Sequence, residues 1–218
     1  MSINIKGLTN FGPHIVTDGL VLYLDAANPK SYSGSGNIWY DLSKNGINAT
    51  LNGPTFVNNS FEFNGDTATF SDPINQNNLE QEWTITSAIN ISDKVSQLLL
   101  NINNGLYVCY AQGNNSLLYL NGGDNDYYTY GGDLGNIGWV IVTFRFRNSD
   151  GYRTIYKNIT NISTSGPNKT STPSGIRSTL TIGSGLEGNI SNFIIYDRLL
   201  SDNEVLQNFN ALKSRYLL

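Results

Sequence analysis

Residues 122–133 contain three tyrosines and three aspartates, and two glycine pairs enclose all of them except Asp133. Aromatic rings can stack on sugar rings, and carboxylates can accept hydrogen bonds from sugar hydroxyl groups. The stretch is therefore a candidate carbohydrate site, and the alternative is an ordinary hairpin whose tyrosines cover a sheet edge. The candidate ligand-binding residues are Asp124, Asp126, Tyr127, Tyr128 and Tyr130.

Calcium is the metal that this stretch could hold. Asp124 and Asp126 have the one-apart spacing of calcium loops, although the remaining ligands of an EF-hand are missing. Asp25, Asp41 and Asp66 lie in predicted turns, where a carboxylate more often caps the backbone than holds a cation. The sequence therefore predicts no cofactor, and a structural calcium ion remains an open alternative.

Other catalytic and nucleotide-binding constellations are missing from the sequence. His14 is the only histidine, so neither a Ser-His-Asp triad nor a zinc site can be assembled within the chain. Gly183 and Gly185 lack the third glycine of a dinucleotide fingerprint. Cys109 is the only cysteine and lies in a strand-like run, which favours a buried thiol over a nucleophile. No catalytic residue is predicted.

The composition excludes two classes of partner. The net charge is −4 and no run of Lys or Arg interrupts it, which gives polyanions such as nucleic acid no attractive field. No apolar window reaches the length of a membrane span, and the N-terminus lacks the basic and apolar regions of a signal peptide. We therefore expect neither nucleic acid nor membrane as a partner.

Short runs of alternating apolar and polar residues recur along the chain and predict β-strands separated by Gly-rich and Asn-rich turns. Four such runs between residues 97 and 130 predict a meander. The sequence Asn64-Gly65-Asp66 predicts a hairpin between two Phe-containing runs. Arg145 and Arg147 end the outer face of the run at residues 139–147, which predicts that this end meets solvent.

One amphipathic helix is predicted near the C-terminus. Ser201 and Glu204 have the spacing of a capping box, in which each side chain bonds the backbone amide of the other residue. The apolar stripe that follows predicts docking on the outside of a sheet. Its members are Val205, Leu206, Phe209 and Leu212.

Roughly a dozen strands with one terminal helix favour an all-β fold, a two-sheet antiparallel sandwich with one short C-terminal helix. We assign residues 18–218 to this sandwich and residues 1–17 to an N-terminal arm. The arm carries apolar residues without a helix or turn signature, which predicts that it binds a neighbouring subunit or an underlying surface. These residues are Ile3, Ile5, Leu8 and Phe11.

The order of the strand-like segments resembles the concanavalin A-like lectin/glucanase superfamily, in particular its laminin-G-like branch. The most specific segment is residues 182–210, where a glycine-containing turn precedes a strand ending in Ile-Tyr-Asp-Arg and then Leu-Ser-Asp-x-Glu-Val. The resemblance extends over residues 18–216. It implies a jelly-roll sandwich whose concave sheet often binds sugars and which in some members holds calcium. The earlier matching segments are GLVLYLDA, DLSKNGINATLNGP, FEFNGDTATF, WTITSAINI and WVIVTFRF.

The sequence departs from the hydrolytic branch of the superfamily. Laminarinase-type glycosidases place Glu, Asp and Glu at alternating positions of one strand, and no such motif occurs here. Retaining hydrolysis needs two carboxylates about 5 Å apart, and strand alternation supplies that geometry in the family. We therefore expect that the protein is not an enzyme.

The end of the chain, NFNALKSRY at residues 208–216, resembles phage virion proteins that carry such domains. This implies a virion surface protein, a head decoration or fibre-type component, made in the host cytoplasm without a signal peptide. We expect a homo-oligomer that contacts other virion proteins through the arm and that could also bind glycans. The alternatives are a tail-associated carbohydrate-binding adhesin and a divergent glycan hydrolase.

Overall fold

The computed structural model describes residues 13–71, 82–91, 138–147, 149–150, 152–163 and 179–218 with their side chains, and four strands between residues 97 and 130 by their backbone. The strands are β1 (Leu20–Asp25), β2 (Ile38–Trp39), β3 (Ala49–Asn52), β4 (Thr55–Val57), β5 (Ser60–Asn64), β6 (Thr67–Ser71), β7 (Glu82–Ile91), β8 (Gln97–Ile102), β9 (Leu106–Gln112), β10 (Leu117–Asn121), β11 (Tyr127–Tyr130), β12 (Val140–Arg147), β13 (Tyr152–Lys157), β14 (Thr160–Asn161), β15 (Thr179–Ile182) and β16 (Glu187–Tyr196). The helix α1 (Asp202–Leu212) continues into a 3-10 turn, Lys213–Arg215.

These strands form two sheets, and every pairing among them is antiparallel. Sheet A has the order β14-β13-β12-β7-β16-β5-β4, with β1 also paired to β16. Sheet B has the order β11-β10-β9-β8-β15-β6-β3-β2. The consecutive order of β8 to β11 confirms the predicted meander.

The main core lies between the two sheets, because strand alternation sends every second side chain inward. Phe61 and Phe63 come from sheet A, and Trp39 and Phe70 come from sheet B. The Trp39 and Phe61 rings meet edge to face with their centroids 4.8 Å apart. The predicted two-sheet antiparallel sandwich with one C-terminal helix is thus confirmed.

The predicted hairpin at Asn64-Gly65-Asp66 is wrong. The strand before this turn, β5, belongs to sheet A, and the strand after it, β6, belongs to sheet B. Gly65 has a positive φ of 81°, and its N–H donates to the carbonyl of Leu186 instead of closing a hairpin. The same turn chemistry therefore carries the chain from one sheet to the other, and the buried phenylalanines on both sides still reach one shared core.

Helix α1 covers part of the outer face of sheet A. Its N-cap is the predicted capping box of Ser201 and Glu204, with both reciprocal hydrogen bonds formed. Val205, Phe209 and Leu212 are buried against outward-facing residues of the sheet in a second apolar cluster. Leu206 was predicted to dock as well, but it is 43% exposed, because it lies just outside the arc of the helix that faces the sheet.

Arg145 of β12 holds the helix in place and contradicts the prediction of solvent exposure at its own position. Arg147, the last residue of β12, agrees with that prediction, since its side chain is 33% exposed and pairs with the exposed Asp150. Arg145 is only 2% exposed. Its guanidinium donates to the Leu200 carbonyl at 2.7 Å and to the Asp202 carboxylate at 2.8 Å, both at the start of α1. It also donates to Thr154 Oγ1 and to the Tyr156 hydroxyl. A buried cation is tolerated here because its donors find acceptors.

Part of the predicted arm packs on this same face. Val16 is buried, its N–H donates to Asn208 Oδ1 at 2.8 Å, and its carbonyl accepts from the Tyr196 hydroxyl at 3.1 Å. The His14 carbonyl accepts from Gln207 Nε2 at 2.9 Å. Residues 13–17 are therefore tied to α1 and β16. Residues 1–12 lie outside the described residues, so the attachment role of the arm stays a prediction.

The buried side of α1 can be tested with two substitutions on the same helix. Replacing Phe209 by Ala should lower the free energy of unfolding by about 3 to 5 kcal/mol, the usual loss for a buried aromatic ring. Leu206→Ala is the matched control and should change it by less than about 0.5 kcal/mol. Urea denaturation monitored by circular dichroism measures both, and equal losses would contradict the observed orientation of the helix.

Glu204 should make stability depend on pH in the acid range. The guanidinium of Arg198, 2.5 Å from the carboxylate, holds the pKa of Glu204 at about 2, below its usual 4.5. A depressed folded pKa gives stability that is present above pH 4.5 and is lost as the pH falls towards 2. Glu204→Gln should therefore be less stable than wild type at pH 7, with the difference shrinking to near zero at pH 2. A difference that does not change with pH would contradict this.

Candidate functional site

A polar cleft opens where β16 begins and where β5 and β7 end. Its volume is about 680 Å³. Lining residues come from β4, β5, β7 and β16, the adjacent strands at this end of sheet A, and from the turn after β5. The lining consists of Thr55, Glu62, Phe63, Asn64, Asp66, Asn90, Ile91, Glu187, Gly188 and Asn189.

Sheet register sets four of these polar residues in one row. Glu62 of β5 is directly opposite Thr55 of β4 on one side and Asn189 of β16 on the other. Asn189 is in turn opposite Asn90 of β7. Neighbouring strands lie about 4.8 Å apart, so the row presents a hydroxyl, a carboxylate and two amides at regular intervals across the sheet. Such spacing suits a ligand that carries several hydroxyl groups.

The row faces outward because the flanking residues face the core. Phe61 and Phe63 on β5, and Ile89 and Ile91 on β7, are all buried between the sheets. Residues between them must point to the opposite face. Glu62 is exposed and Asn90 is half-buried, and neither side chain makes a hydrogen bond to another residue in the part of the chain that the structure describes. Both are available to a ligand.

A β-bulge separates this row from the helix-covered half of the sheet. The register of β16 against β7 advances from Ile190 opposite Ile89 to Asn192 opposite Ala88, which leaves Ser191 as an extra residue. On the two sides of the bulge, therefore, opposite sets of alternate residues of β16 point outward. Before the bulge the outward residue is polar Asn189, and after it the outward residues include Ile194 and Tyr196 beneath α1.

Asn192 stabilises the bulge. It is fully buried, its Oδ1 accepts from the Ala88 N–H at 3.0 Å, and its Nδ2 donates to the Tyr216 hydroxyl at 2.9 Å. Its carbonyl accepts from Ser87 Oγ at 2.7 Å. The side chain thus satisfies a backbone donor at the irregular register and links the bulge to the end of the chain.

Gly188 lets the cleft form at the start of β16. A Cβ at this position would lie 2.6 Å from the Asn90 carbonyl oxygen and 2.7 Å from the Ile91 Cα, both of them backbone atoms. Its φ of +153° is also unfavourable for other residues. The absence of a side chain therefore allows β16 to approach β7 closely between the two polar positions Glu187 and Asn189.

A second, smaller cleft of about 410 Å³ lies on the helix-covered half, between residues 13–17, β1 and the end of α1. Arg215 lines it and donates to the fully buried carboxylate of Asp25 at 2.6 Å. The Tyr23 hydroxyl donates to the same carboxylate at 2.8 Å, and burial raises the pKa of Tyr23. This cluster ties the C-terminal turn to β1, which is a structural role.

The predicted site residues divide into two groups. Asp124 and Asp126 lie outside the described residues. Tyr127, Tyr128 and Tyr130 lie on β11, opposite Asn121, Leu120 and Leu118 of β10 respectively, at the end of the sheet B strand order. Their side chains lie outside the described part, so the predicted tyrosine site stays a prediction.

The three aspartates that were predicted to lie in turns bind backbone amides, although Asp25 is the last residue of β1 and not a turn residue. Asp41 accepts from the N–H groups of Tyr23, Ser43 and Ile47 at 2.8 to 3.1 Å. Asp66 accepts from the Asn64 N–H at 3.1 Å, and Asp25 from the Ala27 N–H at 3.1 Å. Among the described residues, no group of three or more His, Cys, Asp or Glu side chains could hold a metal ion. No helix among them is long and apolar enough to cross a membrane.

Sequence reasoning missed the polar cleft. Its row is assembled from Thr55, Glu62, Asn90 and Asn189, which are spread over more than half of the chain and carry no motif. Each residue alone reads as an ordinary solvent-facing position of a strand. The sequence does show that each alternating run contains polar residues that face solvent. Only the strand order shows that Thr55, Glu62, Asn189 and Asn90 are neighbours on the sheet.

Solved structures match the fold, whereas no model of a known protein family and no curated protein matches the sequence. Trypanosoma rangeli sialidase, as a covalent intermediate with 2,3-difluorosialic acid, matches with a TM-score of 0.72 and 16% identity over 94% of this chain and 35% of its own. The same sialidase with the inhibitor DANA matches with a TM-score of 0.69 and 19% identity over 95% of this chain and 35% of its own. The binding domain of botulinum neurotoxin DC in complex with SialylT matches with a TM-score of 0.68 and 18% identity over 90% of this chain and 52% of its own.

The chain thus spans about a third of the sialidase and about half of the toxin domain. At these identities, the likeness shows a shared β-sandwich fold.

The bulge can be tested through Asn192. Asn192→Ala leaves the Ala88 N–H without its buried acceptor, which should lower the free energy of unfolding by about 1 to 3 kcal/mol. The matched control is Asn37→Ala, since Asn37 is exposed and its side chain bonds to no described residue. Thermal unfolding of both variants measures this. A melting temperature for Asn192→Ala equal to that of the control would contradict the structural role of Asn192.

Proposed function

We propose that this protein is a non-enzymatic glycan-binding module and that the polar cleft at the end of sheet A is its site. The observation that carries the proposal is the row of Thr55, Glu62, Asn189 and Asn90, aligned across four strands inside a cleft of about 680 Å³. Amides both donate and accept hydrogen bonds, and a carboxylate accepts them, so the row complements the hydroxyl groups of a sugar.

The accessible surface of the cleft comes mainly from polar residues. Phe63 and Ile91 also border it, but their side chains are buried between the sheets and are only 1% and 3% exposed. The volume lies within the usual range of about 300 to 1,000 Å³ for ligand sites.

Two neighbours in fold support a sugar ligand by analogy. The sialidase was solved with sialic acid, and the toxin domain is named as a binding domain in complex with SialylT. Fold alone does not fix function, so the cleft is the main support for a sugar ligand and the likeness of fold adds to it.

Hydrolysis is the second candidate, because Glu62 and Glu187 occupy diagonal positions on paired strands. The Cα atoms of diagonal neighbours on paired strands are about 7 to 8 Å apart. This spacing is compatible with the distance between the two carboxyl groups of inverting glycosidases, about 6.5 to 9.5 Å. Glu62 is exposed, whereas a general acid needs surroundings that keep it protonated at neutral pH. We therefore favour binding.

We further propose that the module is displayed on the surface of a phage particle, as a head decoration, a fibre-type component or a tail adhesin. The sequence of the C-terminal block supports this, and so does the position of the arm. Residues 13–17 pack beside Tyr196, at the end of β16 opposite to Glu187. Ten strand residues span about 30 Å, so attachment of residues 1–12 to other virion proteins or to a second copy would leave the cleft open.

Binding can be tested with a glycan array followed by calorimetry on the glycans that bind. The double variant Glu62→Ala, Asn90→Ala should lose affinity by about tenfold or more, since each lost hydrogen bond to a ligand contributes roughly 1 kcal/mol. Asn37→Ala is the control and should bind as wild type. Unchanged affinity in the double variant would contradict the site.

Two further results separate the alternatives. Release of reducing sugar from a bound oligosaccharide would favour the hydrolase, particularly if Glu187→Gln abolished it. Loss of binding in Tyr128→Ala, with the cleft double variant unaffected, would move the site to β11.

A further inference from the structure

We propose that the ligand of the polar cleft is an extended β-1,4-linked oligosaccharide and that Trp139 is the aromatic subsite at one end of the polar row. This inference rests on the proposed glycan-binding function, and it names a ligand class and a further binding residue for the same site. Among the described lining residues of the cleft, the one aromatic ring belongs to Phe63, which is only 1% exposed. An aromatic surface for a sugar must therefore come from a neighbouring position.

The strand register continues the row to Trp139. Val140, the first residue of β12, is opposite Ile89 of β7. Because paired antiparallel strands run in opposite directions, Trp139, one residue before Val140, lies beside Asn90, one residue after Ile89. The row thus crosses four adjacent strands, β4, β5, β16 and β7, and ends at the residue that leads into β12.

Trp139 lies on the same outer face of sheet A as the row. Val140 is buried between the sheets, whereas Trp139 and Ile141 belong to the apolar cluster on the outer face. The Trp139 ring packs against the Tyr216 ring, with the centroids 4.9 Å apart and the planes inclined by 32°. The Tyr216 hydroxyl accepts from Asn192 Nδ2 at 2.9 Å. Trp139 is therefore supported from the side of the helix, and it is half-buried rather than fully covered.

The spacing of the row suits a straight sugar chain. From β4 to β12 there are four strand spacings of about 4.8 Å, which together span about 19 Å. The repeat of an extended β-1,4-linked hexose chain is close to one strand spacing, so about four sugar residues would cover this distance. An α-1,4-linked chain curves and would leave the row after one or two residues.

The two ends of the row would make different contacts with such a chain. Glu62 and Asn90 would bond hydroxyl groups, since neither side chain bonds another described residue. Asn189 would contribute mainly its Oδ1, because its Nδ2 donates to Ser60 Oγ at 3.4 Å. Beyond Asn90, the flat C–H face of a sugar ring would stack on Trp139.

Tryptophan fluorescence tests this contact in the unmodified protein. The chain has three tryptophans, and the other two, Trp39 and Trp83, are buried between the sheets and are 0% and 5% exposed. A shift of emission and a loss of quenching by acrylamide on ligand binding would therefore report on Trp139. The probes are dimers and tetramers of β-1,4-linked glucose and of β-1,4-linked N-acetylglucosamine, with maltotetraose as the α-linked control of equal length.

Wild type should bind the β-1,4-linked tetramers about tenfold or more tightly than the dimers, because a dimer covers only part of the row. The tetramers should also shift the emission and protect it from acrylamide. Maltotetraose should bind no more tightly than the dimers.

Three variants then separate stacking from folding. Trp139→Ala should weaken tetramer binding, measured by calorimetry, about tenfold and abolish the change in emission, since the stacked apolar surface is lost. Trp139→Phe keeps a ring and should retain most of the affinity. Tyr40→Ala removes an exposed aromatic ring next to β2 of sheet B and should bind as wild type. Thermal unfolding confirms that each variant is folded.

Four results would overturn the inference while leaving glycan binding intact. They are equal affinity for dimers and tetramers, tetramer binding as tight as wild type in folded Trp139→Ala, maltotetraose binding as tightly as the β-linked tetramers, and binding of other glycans on an array but of neither β-1,4-linked series. No binding of any glycan by folded wild type would count against the proposed function itself.

Discussion

The extra residue in β16 is the constraint on which the rest of the site depends. Without the extra residue, the same alternate positions would face outward along the whole strand from Glu187 to Tyr196. Either Asn189 of the polar row or the residues beneath α1, Ile194 and Tyr196, would then point into the core. The insertion of Ser191 changes the parity, so Asn189 faces the cleft while Ile194 and Tyr196 face α1. One strand therefore supplies both a ligand-accessible half and a covered half of the same sheet face.

The covered half is held by a buried cation as well as by apolar contact. Arg145 donates to groups on β13 and at the start of α1, and Tyr156 adds a hydrogen bond to Asp202 at 2.9 Å. Burial, together with that hydrogen bond, raises the pKa of Tyr156 to about 12, so its phenol stays protonated and continues to donate at neutral pH. Removing one partner would leave a buried charge unsatisfied, so the network fixes where the helix lies and leaves the other end of the face uncovered.

Local features of the fold were predictable from the sequence. Alternation predicted the strands, the Ser201 and Glu204 spacing predicted the cap of α1, and the phenylalanines around Gly65 were correctly placed in the core, because each of these depends on residues close together in the chain. The crossing at Gly65 was not predictable, since the same turn residues serve a hairpin or a change of sheet.

Non-local features could not be predicted. The burial of Arg145 depends on acceptors at the start of α1, 55 and 57 residues further along the chain. The cleft row depends on pairings between Glu62, Asn90 and Asn189 that only the strand order creates. The bulge at Ser191 has no sequence signature of its own. The tyrosine site was predicted from the unusual composition of residues 122–133 alone, and it is the alternative site for the ligand.

Whether the polar cleft is the ligand site is tested most directly by an NMR titration of the isotopically labelled protein with a glycan that it binds. The titration follows backbone amides and asparagine side-chain amides together, and we expect the largest shift changes on the side chains of Asn90 and Asn189 and on the backbone amide of Gly188. Shift changes confined to Tyr127, Tyr128 and Tyr130, with those three cleft residues unaffected, would contradict it.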